Sequence, residues 1–375
     1  MKDPDFALSR EADDALDSGA DLLPDDLAEQ GALRSDWETY GLTHEILDLI
    51  PGGACGFIPW LEGGLLVKTE TGSCALWFYR GHEAGLAWQC QMFQIALQNE
   101  FHGFLRPLLW LDQRTYRRFD ERNWLYLTDA PALRKVHFHN PQDLTGLIGL
   151  IRDYRTLTRN CGFYYGGTAQ AAMIRKLMTA VQQIEIYKML AEHRIRPTAF
   201  DRIFSKCFQF IHHHAMQALE GLKASAYQRL FAETNHRDRV LYNFTRHNLR
   251  MKRDGHVVML RLNKCRRELP AIDLALCMAR TGRANEWRFA WNRLVLEEYQ
   301  KKFPVLGEEV PILETLLRFP WSLYRLCGRY YFNRVPWPIP QMVEKLERLL
   351  ADEPRRLRFT DQFAEFMKDE MIGCR

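Results

Sequence analysis

Short β-prone apolar runs bounded by glycine open the regular part of the chain. Pro51-Gly52-Gly53-Ala54-Cys55-Gly56 reads as a turn, and Gly63-Gly64-Leu65-Leu66-Val67-Lys68-Thr69 as a strand. Glu70-Thr71-Gly72 then reads as a hairpin turn and Ser73-Cys74-Ala75-Leu76-Trp77-Phe78-Tyr79 as the return strand. An amphipathic helix is expected over 82–98, with Leu86, Met92, Ile95, Ala96 and Leu97 as its apolar positions. Gly103-Phe104 breaks it; strands are expected over 105–111 and 124–129. Helical spacing then dominates, over 141–158, 171–193, 199–222, 226–232, 272–280, 287–303, 309–319, 321–333 and 341–351. Asp143 suits the first turn of its helix, and Pro320, Pro336, Pro338 and Pro340 punctuate the last ones.

Residues 1–36 do not share this patterning. They are poor in apolar residues and strongly acidic, the composition of a disordered leader. Residues 1–38 carry 12 Asp and Glu against three Lys and Arg, a net of −9, so the remainder carries +13. A basic body with an acidic leader suits polyanions or electrostatic docking of its own leader. No helix-turn-helix, zinc knuckle or dense basic stripe supports nucleic acid as a partner. A length of 375 residues, with 47% hydrophobic and 26% charged positions, fits a soluble protein of two or three structural units. No apolar run reaches membrane-spanning length, and the acidic N-terminus lacks the features of a secretory signal. Folding in the cytosol is therefore expected. Nine scattered cysteines without a Cys-x-x-Cys pair fit buried thiols better than disulfides or zinc.

The candidate chemistry lies between 236 and 273. His236-Arg237-Asp238 through Asn243 has the form H-x-D-x-x-x-x-N, followed by a strand–turn–strand piece with Asp254-Gly255 at its turn. Kinase-like folds use that spacing to place an acceptor-orienting Asp and a metal-binding Asn on one loop. Asp238 and Asn243 fit those two roles by spacing. A second acidic metal ligand belongs on the strand that follows, where the chain reads Arg261-Leu262-Asn263. Three consecutive histidines, His212-His213-His214, point in different directions on a helix and cannot jointly chelate a metal. His137 and His139 have no carboxylate or Cys at ligand spacing, and no G-x-S-x-G supports a hydrolase.

The run from Asn235 to Asn243, and then Met259-Leu260-Arg261-Leu262-Asn263-Lys264-Cys265-Arg266-Arg267-Glu268-Leu269-Pro270-Ala271-Ile272-Asp273-Leu274-Ala275, resembles the CotS-type spore-coat proteins. These belong to the wider aminoglycoside-phosphotransferase-like kinase fold. Cys265-Arg266, Leu269-Pro270 and Asp273-Leu274 carry the match most closely, and looser matches in the same order extend it over most of the chain after the leader. The resemblance implies an α+β, bilobal kinase-like fold. A small antiparallel-sheet N-lobe is expected over 37–130, after the leader of 1–36, with a large mainly helical C-lobe over 131–375 carrying the degenerate catalytic loop.

Departures from the family pattern bear on activity. Arg261 stands where the family has its metal Asp, and Asn263 where it has a second Asp. The phosphate-gripping Lys is replaced by Trp77, and the helix that would supply its acidic partner shows Gln91 and Gln94. The implied protein is a pseudokinase, with Asp238 and Asn243 vestigial, no metal and no cofactor. Its implied place is the endospore coat, among other coat proteins, after synthesis in the mother-cell cytoplasm. If Arg261 points into the former metal site, its charge is expected to pair with Asp238 and replace the ion. Two alternatives stay open: an ATP- and Mg-dependent small-molecule phosphotransferase with Asp238 as base and Asn263 or Asp273 as displaced ligand, or a regulatory module that binds nucleotide without turnover.

Overall fold

A computed structural model describes residues 35–61, 63–160, 172–233, 239–332 and 338–373. The expected leader, up to residue 34, and Asp238 lie outside the described residues. The chain forms two compact units, one from residues 1–137 with 243–264, the other from 138–242 with 265–375. This division is not the linear one read from the sequence at residue 130. Strand β9 (Leu249–Lys252) pairs with both β10 (Val257–Met259) and β7 (Leu133–Lys135), and that pairing carries the 243–264 segment into the first unit.

The first unit is built on an antiparallel sheet. Its strands are β1 (Ala54–Trp60), β2 (Gly64–Thr69), β3 (Gly72–Arg80), β4 (Pro107–Leu108), β5 (Tyr116–Arg118) and β6 (Asn123–Asp129), in the order β1-β2-β3-β6-β4 with β5 also on β6. Strand β1 begins at Ala54, inside the stretch expected to make a turn, and runs on to Trp60. Gly56 and Pro59 depress its β signal, and its edge position is where a sheet tolerates proline. The strand expected over 105–111 shrinks to the two residues of β4.

Side-chain alternation gives the sheet two faces. Leu65, Val67, Cys74, Leu76, Leu125 and Leu127 join Trp37, Phe57 and Trp110 in one core, together with Leu47 of the short helix α1 (His44–Leu47). On the other face, Gly64, Trp77 and Tyr126 lie in register across β2, β3 and β6. Helix α2 (Glu83–Gln98) buries Leu86, Trp88, Gln89, Met92, Phe93 and Ala96, whereas Leu97, expected inside, is 53% exposed.

The second unit is mainly helical, and the whole is α+β as expected. It contains α3 (Pro141–Asn160), α4 (Ala172–Glu192), α5 (Ala199–Ala224), α6 (Tyr227–Glu233), α7 (Ala271–Ala284), α8 (Phe289–Gln300), α9 (Val310–Arg318), α10 (Trp321–Tyr331) and α11 (Ile339–Gly373). Its one described sheet pairs β8 (Arg239–Val240) with β11 (Arg266–Arg267). Thr198 and Asp201 form a reciprocal capping box that starts α5. Among the described residues, no helix is long and apolar enough to cross a membrane.

Helix α11 runs 22 residues beyond its expected end at 351, through Pro354. A proline inside a helix costs about 3 kcal/mol, and tertiary contacts offset it here. Phe359, Phe363 and Met367 are buried. Arg356 pairs with buried Glu353 and donates to the terminal carbonyls of α9, Leu317 at 2.6 Å and Arg318 at 2.7 Å. Arg356→Ala would strand Glu353 and uncap α9, and is expected to cost about 3 kcal/mol. Urea unfolding of the two proteins measures it.

Candidate functional site

The position assigned to a phosphate-gripping lysine is filled by the indole of Trp77, which is fully buried in the middle of β3. Its Nε1 donates to Thr128 Oγ1 at 2.9 Å. The ring stacks on Tyr126 at 6.3 Å between centroids and packs at 5.8 Å from Trp60. Gly64 lies across the β2–β3 ladder, and a Cβ there would sit 3.0 Å from the Trp77 ring and 3.1 Å from the Trp60 carbonyl. A side chain at position 64 would crowd the tryptophan and the β1 backbone.

Arg261 completes the arrangement. Its backbone is fixed by Asn248, whose Oδ1 accepts from the Arg261 N–H at 2.9 Å and whose Nδ2 donates to the Arg261 carbonyl at 3.0 Å. The guanidinium lies 5.8 Å over the Trp77 ring. It also lies beside Gly63, where a Cβ would meet Nη2 at 2.6 Å. Gly63 has a left-handed φ of +74°, and this backbone is what favours glycine there. Burial pushes the Tyr126 phenol up, and the Arg261 charge opposes that shift. The glycine turn is therefore lined from below by the chain's own tryptophan and arginine. Asp238 lies outside the described residues, and the pairing expected between it and Arg261 is not among the described contacts.

Helix α2 contributes Gln89, a residue the spacing argument passed over. Gln91 is exposed and Gln94 half-buried, while Gln89 is buried and its Oε1 accepts from the Leu262 N–H at 2.9 Å. Its neighbours Trp88 and Cys90 are also buried, a local apolar run that marks the inward side of the helix.

Asn243 is buried, with its carbonyl accepting from Asn248 Nδ2 at 3.1 Å. Its side-chain oxygen accepts from Thr245 Oγ1 at 3.2 Å, and its amide nitrogen faces Asn263 Oδ1 at 3.4 Å. Magnesium takes hard, largely anionic oxygen ligands in octahedral geometry. Among the described residues here, the donors are neutral amides beside a fixed cation, and the set does not fit that ion.

In the second unit, Asp273 holds the chain leading to Asn243. Its two oxygens accept from the Leu241 N–H at 2.7 Å and the Tyr242 N–H at 2.8 Å. These bonds fix Tyr242 at a left-handed φ of +60°, uncommon for a residue with a side chain. Burial pushes the Asp273 carboxyl up to about 7 against the pull of those two N–H groups. Both oxygens are committed to the backbone, so Asp273 serves the loop. The histidines are spread as their spacing requires: His212 contacts Glu185 at 3.0 Å, His213 is exposed, and His214 packs on Phe210.

The chain is similar to an aminoglycoside phosphotransferase from Alicyclobacillus acidocaldarius, with a TM-score of 0.74 and 13% identity over 92% of this chain and 99% of that one. It is also similar to a spectinomycin phosphotransferase in its AMP-bound complex, with a TM-score of 0.57 and 10% identity over 84% and 97% of the two chains. The same enzyme with ADP and spectinomycin gives 0.55 and 9%, over 86% and 99%. At these identities the likeness establishes the fold, which is kinase-like and of the aminoglycoside-phosphotransferase type. No protein-family model matches the sequence, and no curated protein matches it.

Contact between Gly64 and the Trp77 ring implies that Gly64→Ala and Trp77→Leu are coupled. A double-mutant cycle read by urea unfolding is expected to give about 1 kcal/mol of interaction, the alanine costing less beside leucine. For Asp273, the folded value of about 7 lies above the ordinary 3.8, so the folded state holds a proton that the unfolded state releases. Stability relative to Asp273→Asn is expected to fall as pH rises from about 4 to about 7, then level off. Urea midpoints of both proteins across that range provide the measurement.

Proposed function

We propose that this chain is a catalytically silent kinase-like protein that serves as a structural or interaction component of the bacterial endospore coat. One observation carries the silent half of the reading: Trp77 and Arg261 fill the space against Gly64 and Gly63. By the family resemblance, those two positions belong to a phosphate-gripping lysine and a metal-binding aspartate. Phosphoryl transfer depends on positioning and charge neutralisation. A buried indole and a fixed cation supply neither a phosphate grip nor a metal ligand. The bonding of Asn243 favours the same reading, since its side-chain oxygen accepts from Thr245 Oγ1 and its amide nitrogen donates to Asn263 Oδ1.

The coat half rests on the run from Cys265-Arg266 through Leu269-Pro270 to Asp273-Leu274, which resembles the CotS-type proteins. Its partners in this reading are other coat proteins. It is made in the mother-cell cytoplasm, assembles on the spore coat, and needs no cofactor. Exposed Met178, Ile186, Met189 and Leu190 on α4, with Ile195 beyond its end, suit a protein assembled against others. The competing reading is an ATP- and Mg-dependent phosphotransferase with Asp238 as base, and the fold shared with phosphotransferases favours it.

Titration calorimetry with Mg-ATP and a coupled ATP-turnover assay separate the two. The unmodified protein is expected to give no saturable Mg-dependent heat and no turnover above background. Tight Mg-dependent binding, or turnover abolished by Asp238→Asn, would sink the silent reading. For the coat role, the protein is expected to extract with the insoluble coat fraction of spores; recovery only from the soluble mother-cell fraction would count against it.

A further inference from the structure

The second unit gathers positive charge around a phenol that the proposed function does not use. Lys176 projects from α4 and donates to the Tyr242 hydroxyl, with its Nζ 4.6 Å from the centre of the Tyr242 ring and 5.0 Å from that of Trp321 on α10. Arg266, on β11, lays its guanidinium 3.8 Å from the centre of the same Tyr242 ring. The left-handed backbone at Tyr242, imposed by Asp273, brings this side chain to the cations.

Two buried carboxylates, Glu268 and Asp273, feel the Arg266 charge, and Glu268 also feels that of Lys176. No ion pair to a carboxylate is recorded for Lys176 or Arg266 among the described residues. Glu268 accepts from the Tyr227 hydroxyl at 2.9 Å and the Leu269 N–H at 3.0 Å through one oxygen, and both oxygens of Asp273 accept from the Leu241 and Tyr242 N–H groups. Arg266 Nε and Nη2 are buried without any hydrogen-bond partner. Leaving such donors unmet is costly, and more so for a charged group. Burial holds the Lys176 ammonium below its usual value, and Arg266 and Arg325 add to the effect. Burial alone would raise the Tyr242 phenol, but Lys176, Arg266 and Arg325 outweigh it and bring it below its usual value. Lys176, Tyr242, Arg266 and Trp321 are each half-buried as whole residues.

We propose that Lys176, Arg266 and the Tyr242 hydroxyl form a binding site for a phosphate group carried by a small anionic ligand. Two cations suit a dianion better than a monoanionic carboxylate, and a guanidinium edge matches phosphate oxygens in paired hydrogen bonds. The site does not rest on the silent-kinase reading: Tyr242 lies in the H-x-D-x-x-x-x-N stretch beside Asn243, but Lys176 and Arg266 belong neither to that stretch nor to the glycine turn.

Inorganic phosphate is the probe, titrated into the full chain at constant ionic strength with chloride as the balancing anion. Thermal unfolding and 31P line broadening report binding. Phosphate is expected to raise the melting temperature saturably, and Arg266→Gln and Lys176→Gln to weaken its apparent affinity by about tenfold or more each. Lys206→Gln, an exposed change on α5, is expected to leave it intact. Tyr242→Phe keeps the ring and is expected to weaken binding while preserving the fold, a safeguard if a charge variant does not fold. The proposal is overturned if phosphate gives no saturable effect, or if acetate matches it. It is equally overturned if binding survives in Arg266→Gln and Lys176→Gln, or is lost in Arg261→Gln instead.

Discussion

The burial of one indole governs the first unit. Trp77 sits at zero exposure in a central strand, its single donor met by Thr128 and its faces covered by Tyr126, Trp60 and the Arg261 guanidinium. An aromatic of this size in the middle of a sheet leaves its cross-strand partner little volume, and position 64 is glycine accordingly. The indole face also offers a cation a place to lie, and Arg261 takes it. A lysine at position 77 would have put a second positive charge there. Residues 77 and 261 are thus coupled by electrostatics and volume.

The segment carrying Arg261 owes its position to amide chemistry. Asn248 alone ties the Asn243 carbonyl to both backbone groups of Arg261, and Gln89 reaches from α2 to hold Leu262. These are buried, directional bonds to main-chain groups, and each satisfies a donor or acceptor that would otherwise be stranded. Asp273 does the corresponding work in the second unit, where it holds Leu241 and Tyr242. Polar side chains near the H-x-D-x-x-x-x-N motif here build the loops, whatever chemistry the spacing first called to mind.

Much of this fold was legible because its strongest signals are local. The β2–β3 hairpin, α2 and most of the helices follow from turn residues and periodicity. What escaped depends on distant partners. Strand β1 carries Gly56 and Pro59 and is a strand only because β2 pairs with it. The second half of α11 survives Pro354 because Arg356, Phe359 and Phe363 find sites on other elements. At the candidate site, the unusual identities of residues 77 and 261 were plain in the sequence. That they meet each other, and the glycines, was not. Gln89 and the Lys176–Tyr242–Arg266 cluster went unnoticed for the same reason: no spacing rule links residues that converge from separate elements.

Gly63 and Gly64 lead to a point about how such turns are interpreted. A glycine pair at this place in a kinase-like fold invites the inference that backbone must approach a nucleotide. Here Gly64 is crowded by an indole of the same protein, and Gly63 takes a left-handed backbone beside a guanidinium. Packing and backbone conformation alone favour glycine at these positions, with or without a nucleotide nearby. Persistence of the turn is no testimony to ligand; the residues packed beneath it are the better witnesses.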